Sequence, residues 1–134
     1  MREDASRENG RLAIGLIAHD GKKQAMVDWA LAHADFLRAG KIYATSSTGT
    51  RVAEVIDGLD MTRLRSGPLG GDQQIGAMIV EGGLDIMIFF VDPLGTLPHD
   101  VDVKALLRLA TLADLPFACN PATASLLVAA MAQS

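Results

Sequence analysis

The sequence predicts an α/β fold: a single-domain, three-layer open sheet of about five mainly parallel strands with helices on both faces. Short apolar runs recur along the chain and alternate with segments whose apolar residues repeat every three or four positions. Such runs are typical of strands buried on both faces, and the alternation is typical of βαβ units. A polar cluster follows nearly every run, at the edge where open α/β sheets bind ligands.

The predicted strands are the short runs that are most apolar. They are Leu12–Ala18, Lys41–Thr45, Met61–Leu64, Ile86–Val91 and Pro116–Asn120. Ile86–Val91 is the most apolar of them, so we expect it to be a central strand.

Helices are predicted after each strand. The first carries an apolar stripe that runs from Met26 to Leu37 and stops at Gly40. Later helices are predicted over Thr50–Ile56, over Gln73–Glu81, across Val103–Ala110, and from Pro121 to about Ala132. We expect residues 1–11 to form a flexible N-terminal tail and residues 12–134 to form the α/β domain.

Composition excludes several classes of protein. The 134 residues are 49% hydrophobic but only 4% aromatic, and the net charge is −4. With no basic block and few rings for stacking on bases, nucleic-acid binding is not expected. The single cysteine, Cys119, cannot form an internal disulfide and fits a reducing compartment. The charged start lacks a signal peptide's apolar core, and no apolar run approaches the ~20 residues of a membrane span. A cytoplasmic location is expected.

Hydroxyl side chains mark the end of the second strand. Thr45, Ser46, Ser47 and Thr48 precede a glycine and a helix, an arrangement that suits phosphate oxygens through hydroxyl and N–H groups. Capping of the helix by Thr48 explains the pattern equally well. Lys23 lies one helical turn beyond His19, so both can face the end of the first strand, and lysine binds phosphate as a point charge. Lys23 could also be an exposed lysine, a role that fits Lys22 better.

The stretch Ser66–Gln74 is rich in glycine and carries Asp72 where a helix begins. Ser66 and Gly67 open a segment whose backbone N–H groups can approach a small ligand closely. On this stretch alone, Asp72 reads more readily as a helix cap than as a catalytic acid.

The histidines raise the question of a metal. His33 lies on an apolar helix stripe and is predicted to be structural, whereas His19 and His99 lie on loops at the carboxyl edge of the sheet. Enough acids lie nearby for a metal site: Asp20, Asp72, Asp92, Asp100 and Asp102. However, no HxH or HExxH spacing occurs, so no metal is predicted. The absence of GxSxG and GxGxxG disfavours a serine hydrolase and a dinucleotide site.

Taken together, these segments resemble methylglyoxal synthase, from Leu12 into the final helix. The resemblance rests on AHDGKK (18–23), ATSSTG (44–49), SGPLGGDQQIGA (66–77), FFVDPL (89–94) and PHDVDVKALLRLA (98–110). It implies a methylglyoxal synthase-like domain that converts dihydroxyacetone phosphate to methylglyoxal and inorganic phosphate, a glycolytic bypass. It further implies a homohexamer without cofactor or metal, with phosphate as product and inhibitor, and no nucleic-acid or membrane partner.

The resemblance also implies residue roles. Asp72 is the catalytic base, His99 polarises the substrate carbonyl, and Asp102 assists nearby. His19, Lys23, Thr45, Thr48, Ser66 and Gly67 hold the substrate, chiefly by its phosphate, with Ser46 and Ser47 in the same loop. Ser46 stands where family members usually have glycine.

The expected chemistry is consistent with these roles. Proton abstraction beside a carbonyl needs a base near the carbon and a donor at the developing enediolate oxygen. Asp72 and a neutral His99 would provide that pair, and triosephosphate isomerase divides the same two tasks between an acid and a neutral histidine. A regulatory domain that senses a phosphorylated metabolite is the rival interpretation, but it would need only the phosphate site.

Overall fold

The structure, a computed structural model, describes residues 10–95 and 101–132, with the backbone alone for Val101 and Asp102. Within those ranges strands and helices alternate: β1 Ala13–Ala18, α1 Lys23–Ala32, α2 Ala34–Arg38, β2 Lys41–Ala44, α3 Ser46–Val55, β3 Asp60–Arg63, α4 Gly71–Val80, β4 Ile86–Phe90, α5 Val101–Leu112, β5 Phe117–Ala118 and α6 Pro121–Met131. Residues 1–9 of the expected tail lie outside the described part. The described helices include none that is long and apolar enough to cross a membrane.

The strands form one parallel sheet in the order β3-β2-β1-β4-β5. β1 lies at the centre, where Ile14 pairs with Ile42 of β2 on one side and with Ile86 of β4 on the other. The predicted open parallel sheet is therefore confirmed. The strand order reverses between β1 and β4, and the crevice outside their carboxyl ends is where such a sheet binds ligands.

Helices cover both faces of the sheet, which confirms the three-layer architecture. Alternate strand residues point to opposite faces, so Leu16 and Ile88 pack in a core with Trp29 of α1. On the other face Ile17 and Phe89 pack with α4 and α5. Because both of their faces are buried, β1 and β4 contain no polar side chain, as the sequence indicated.

Two predicted helices differ from those in the structure. α3 begins at Ser46 rather than Thr50, so most of the hydroxyl cluster forms its first turn. The first long helix is divided at His33 into α1 and α2. There Nε2 of His33 lies 3.0 Å from Oγ of Ser125 on α6, while the ring packs against Trp29. His33 thus has the structural role that the sequence predicted.

Candidate active site

A small cavity of about 70 Å³ lies at the carboxyl edge of the sheet. It is lined by His19, Asp20, Lys23, Thr45, Ser47, Gly67, Pro68 and Asp72, together with Ile17, Ala18 and Phe89. Six of the predicted site residues are in that list, although they come from three separate segments. Among the predicted residues whose side chains are described, Ser46, Thr48 and Ser66 lie outside the lining.

Lys23 brings a buried positive charge to the cavity. It is the first residue of α1, and its Nζ donates to the carbonyl of Ala18 at 2.9 Å and to Oδ1 of Asp20 at 2.8 Å. An ammonium group has three donors, so two of them orient Lys23 and one is left for a ligand. Asp20, the i,i+3 partner of Lys23, is the charged lining residue to which the sequence gave no substrate role. The spacing of three residues between Asp20 and Lys23 in AHDGKK was the sequence signal for this ion pair.

The first turn of α3 forms the second side of the cavity. Thr45 precedes the helix in an extended conformation, and Ser47 lies in the first turn. The first N–H groups of a helix have no intrahelical acceptor, which makes this end suitable for an anion. Thr48 is fully buried behind Thr45: its Oγ1 accepts the N–H of Ala18 at 3.1 Å and lies 3.2 Å from Oγ1 of Thr45. Thr48 therefore ties α3 to the end of β1.

Ser46 fits the helix without strain. It is the first residue of α3, and Asp114 is the one non-glycine residue with positive φ in the described ranges. Glycine is required only where φ is positive or where another group approaches closely. The replacement of the family's usual glycine by Ser46 therefore leaves the turn intact.

Among the described residues that line the cavity, Asp72 is the one buried carboxylate. The helix cap is Gly70, in a left-handed conformation with φ 104°, and Asp72 is the second residue of α4. The interpretation of Asp72 as a simple N-cap is therefore wrong. Its side chain is 4% exposed and lies over Gly67, where an added Cβ would be 3.4 Å from Oδ1. The positive end of α4 favours the negative charge that a base must carry.

His19 lies at the end of β1, between the cavity and β4. Its side chain is buried and packs edge-on against Phe89, with ring centroids 5.3 Å apart. The N–H of Asp92 donates to Nδ1 of His19 at 3.0 Å. Because Nδ1 accepts this bond, the proton of the neutral ring is on Nε2.

The structure does not describe the side chains of two predicted catalytic residues, His99 and Asp102. His99 lies outside the described residues. Asp102 belongs to α5, but only its backbone is described. The structure describes the chain up to Gly95, directly after the turn at Asp92, and again from Val101.

The described residues contain no group of three histidines, cysteines or acids that could hold a metal ion. Cys119 lies after β5 at the same sheet edge, and burial raises the pKa of its thiol. A thiol with a raised pKa is protonated at neutral pH, so it is a poor nucleophile and a poor metal ligand.

A larger groove of about 370 Å³ lies between α4 and α5. Asp72 is at one end, but most of the lining is apolar, including Leu106 and Leu109. It offers few groups for chemistry, whereas the smaller cavity gathers charge, hydroxyl groups and a histidine. The smaller cavity is therefore the candidate active site.

Comparison with known proteins identifies the family of the chain. The family model described as MGS-like domain matches residues 25–119. Methylglyoxal synthase of Agrobacterium fabrum is 58% identical over 119 residues, which span 89% of this chain and 94% of that protein. The chain belongs to the methylglyoxal synthase family. The resemblance seen in the sequence motifs is thus confirmed.

Further relatives within the methylglyoxal synthase family agree. The enzyme named methylglyoxal synthase in Hahella chejuensis is 52% identical over 128 residues, covering 96% of this chain and 83% of that one. The crystal structure of methylglyoxal synthase from Elizabethkingia anophelis NUHP1 matches with a TM-score of 0.82 and 46% identity. That match covers 88% of this chain and 77% of the other, so the methylglyoxal synthase fold extends over most of the molecule.

Proposed function

We propose that the protein is a carbon–oxygen lyase that converts dihydroxyacetone phosphate to methylglyoxal and inorganic phosphate. The observation that carries the proposal is the shared cavity. The carboxylate of Asp72 lies buried in the same small space as Lys23 and the first turn of α3. An acid next to an anion site would repel a phosphate unless the two bind different parts of the substrate. A phosphorylated ketone has two such parts: a phosphate group for the anion site, and a carbon beside the carbonyl that can give a proton to the acid.

The phosphate group binds between α1 and α3 in this proposal. Lys23 supplies charge, Thr45 and Ser47 supply hydroxyl groups, and the first N–H groups of α3 supply further donors. His19 and Gly67 complete the contacts from the ends of β1 and of the loop before α4. Ser46, Thr48 and Ser66, predicted in the same role, lie just outside the lining.

Asp72 acts as the base. It takes a proton from the hydroxymethyl carbon of the substrate, and the electron pair forms an enediolate with the neighbouring carbonyl. The carbon–oxygen bond to phosphate then breaks, and phosphate leaves with the bonding pair. The resulting enol becomes methylglyoxal by moving a proton to its terminal carbon. A phosphate held by Lys23 and α3 fixes the direction of the breaking bond and stabilises the departing anion.

His99 and Asp102 have their roles from the family resemblance. His99 donates to the developing enediolate oxygen, and Asp102 assists it. In the sequence, His99 comes between β4 and α5, and Asp102 comes at the start of α5. β4 ends beside the cavity. The position in the sequence supports the assignment, since this segment follows the strand next to β1.

The cellular setting belongs to the proposal too. We infer a cytoplasmic homohexamer with neither metal nor cofactor, in a glycolytic bypass that produces methylglyoxal. Inorganic phosphate is the product and also competes for the phosphate site. Light scattering on the purified protein measures the assembly, and a monomer would contradict it.

One experiment tests the reaction. The purified protein is incubated with dihydroxyacetone phosphate, and free phosphate, methylglyoxal and glyceraldehyde 3-phosphate are measured together. The proposal expects phosphate and methylglyoxal in equal amounts. Glyceraldehyde 3-phosphate instead would indicate an isomerase. Binding without any product would indicate a domain that only senses a phosphorylated metabolite.

A further inference from the structure

The ends of β1 and β4 are joined by two hydrogen bonds that both involve His19. The N–H of His19 donates to the carbonyl of Phe90 at 3.1 Å. In return the N–H of Asp92 donates to Nδ1 of the His19 ring at 3.0 Å. Both bonds cross the point where the strand order reverses, at the edge of the candidate active site.

The second bond determines where the ring proton lies. A main-chain N–H can only donate, so Nδ1 must be the unprotonated nitrogen and Nε2 must carry the proton. The ring is 6% exposed and packed edge-on against Phe89, so it cannot easily turn to exchange the two nitrogens. The geometry therefore favours one of the two neutral tautomers.

The side chain of Asp92 holds this N–H in place. Its Oδ1 accepts the N–H of Leu94 at 3.0 Å and closes a tight turn. Its Oδ2 lies directly against Gly21, where an added Cβ would overlap it. On its other side the carboxylate faces Gly95. A Cβ added there would lie 3.5 Å from Oδ2 of Asp92, which is an ordinary van der Waals contact. The carboxylate thus lies between two glycines, and a methyl group at Gly21 would displace it, whereas one at Gly95 would not.

We propose that Asp92, with its carboxylate held against Gly21, is a positioning residue that fixes His19 as its Nε2–H tautomer. The proposal rests on the proposed function, in which His19 contacts an anionic substrate. A ring with its proton on Nε2 can donate to an oxygen of the phosphate or the enediolate. The other tautomer would present a lone pair to that oxygen and weaken binding.

The tautomer is measured directly in protein labelled with ¹⁵N-histidine. Long-range ¹H–¹⁵N spectra separate protonated from unprotonated ring nitrogens, and a His19→Gln sample identifies the His19 signals. We expect Nε2 of His19 to be protonated and Nδ1 to be unprotonated in the wild-type protein without substrate. A proton on Nδ1 would overturn the proposal. This result does not depend on turnover, so failure of the proposed reaction would leave it standing.

The role of Gly21 is tested with a matched pair of variants. Gly21→Ala displaces the Asp92 carboxylate, whereas Gly95→Ala adds the same methyl group on its open side. We expect Gly21→Ala to shift His19 toward the Nδ1-protonated form and to lower kcat/KM about tenfold or more, the value of one charge-assisted hydrogen bond. Gly95→Ala should keep the wild-type spectrum. Equal spectra in both variants would refute the role of Gly21 and the carboxylate. If Gly21→Ala fails to fold, the wild-type spectrum still decides the tautomer.

Discussion

Asp72 shows how the position of one residue within a helix separates a structural role from a chemical one. The N-cap position of α4 is taken by Gly70, and Asp72, two residues later, lines the cavity. It is nevertheless buried, which removes it from bulk water and places it over Gly67. A carboxylate that is buried at a ligand site without being the cap is suited to accept a proton.

The variant Asp72→Asn tests whether Asp72 acts as a catalytic base or only stabilises the fold. Asparagine has the same shape but cannot take a proton, so turnover should fall by at least ~10²–10⁴-fold. The loss in stability should stay below about 1 kcal/mol, the value of a charge near a helix N-terminus. Phosphate release, and exchange of the hydroxymethyl protons with deuterated water, measure the effect, and both should be lost together.

Asp85 provides the control for Asp72. It is also a buried carboxylate, but it lies before β4, where Oδ2 accepts the N–H of Ala13 at 2.8 Å. Asp85→Asn should lower stability by about 1–3 kcal/mol through this bond and leave kcat unchanged. If the two variants lost turnover equally, Asp72 would have no special role as a base.

Lys23→Met tests the phosphate site. A charge-assisted contact contributes ~1.5–3 kcal/mol, so affinities for inorganic phosphate and for substrate should both fall roughly ten- to a hundredfold. Calorimetric titration with phosphate and KM for the substrate measure the change. Lys22→Met removes the same charge one residue earlier, where the side chain is only half-buried and outside the cavity lining, and should have little effect. If Lys23→Met left both affinities unchanged, the phosphate site would not include Lys23.

At the scale of elements, the start of α4 depends on a close backbone approach. A Cβ at Gly71 would overlap the carbonyl oxygen of Arg65, and the N–H of Gly71 donates to the carbonyl of Ser66 at 2.8 Å. Since the obstacle is main chain, no side-chain rotation can relieve it. The helix that carries Asp72 can therefore begin here only with glycine.

Gly71→Ala should consequently destabilise the protein by about 1–3 kcal/mol, as other overpacked sites do, and move Asp72 away from the cavity. Thermal unfolding and kcat measure the two effects. Gly83→Ala is the control, because its new Cβ would lie 3.4 Å from the nearest atom, the carbonyl oxygen of Met78. A Gly71→Ala protein as stable and active as Gly83→Ala would contradict the close approach.

The elements also show what the sequence could and could not predict. Strands such as Ile86–Phe90 were predictable because burial on both faces makes every position apolar. The start of α3 was not, because serine and threonine are common in turns and their helical conformation depends on the neighbouring strands. At the break, His33 contacts Ser125, which is 92 residues away in the chain, and no local sequence pattern reveals such a contact.

The same distinction applies to the candidate active site. Lys23, Thr45 and Asp72 were predicted because the motifs that contain them resemble those of methylglyoxal synthase, whereas their residue types alone left a helix cap or an exposed lysine open. The bond from Asp92 to His19 was not predictable, since it comes from a main-chain N–H that every residue except proline has. Such contacts depend on topology rather than on residue type.

At the scale of the whole molecule, the proposed chemistry requires no metal. The described residues 10–95 and 101–132 hold no cluster of three ligands. We expect turnover to survive prolonged dialysis against EDTA without change. Loss of activity that added zinc or manganese restores would show that a metal takes part.

The central place of β1 has a consequence for how the protein is made. β1 pairs with β4 across 72 residues, from Ile14 to Ile86, while its other neighbour, β2, follows directly after α1 and α2. During synthesis at ~5–20 residues per second, one edge of β1 therefore waits roughly 4–14 s for its partner to leave the ribosome. Throughout that interval an apolar strand edge is open to pairing with other nascent chains. The strand that later organises the active site is thus the strand that waits longest for a neighbour.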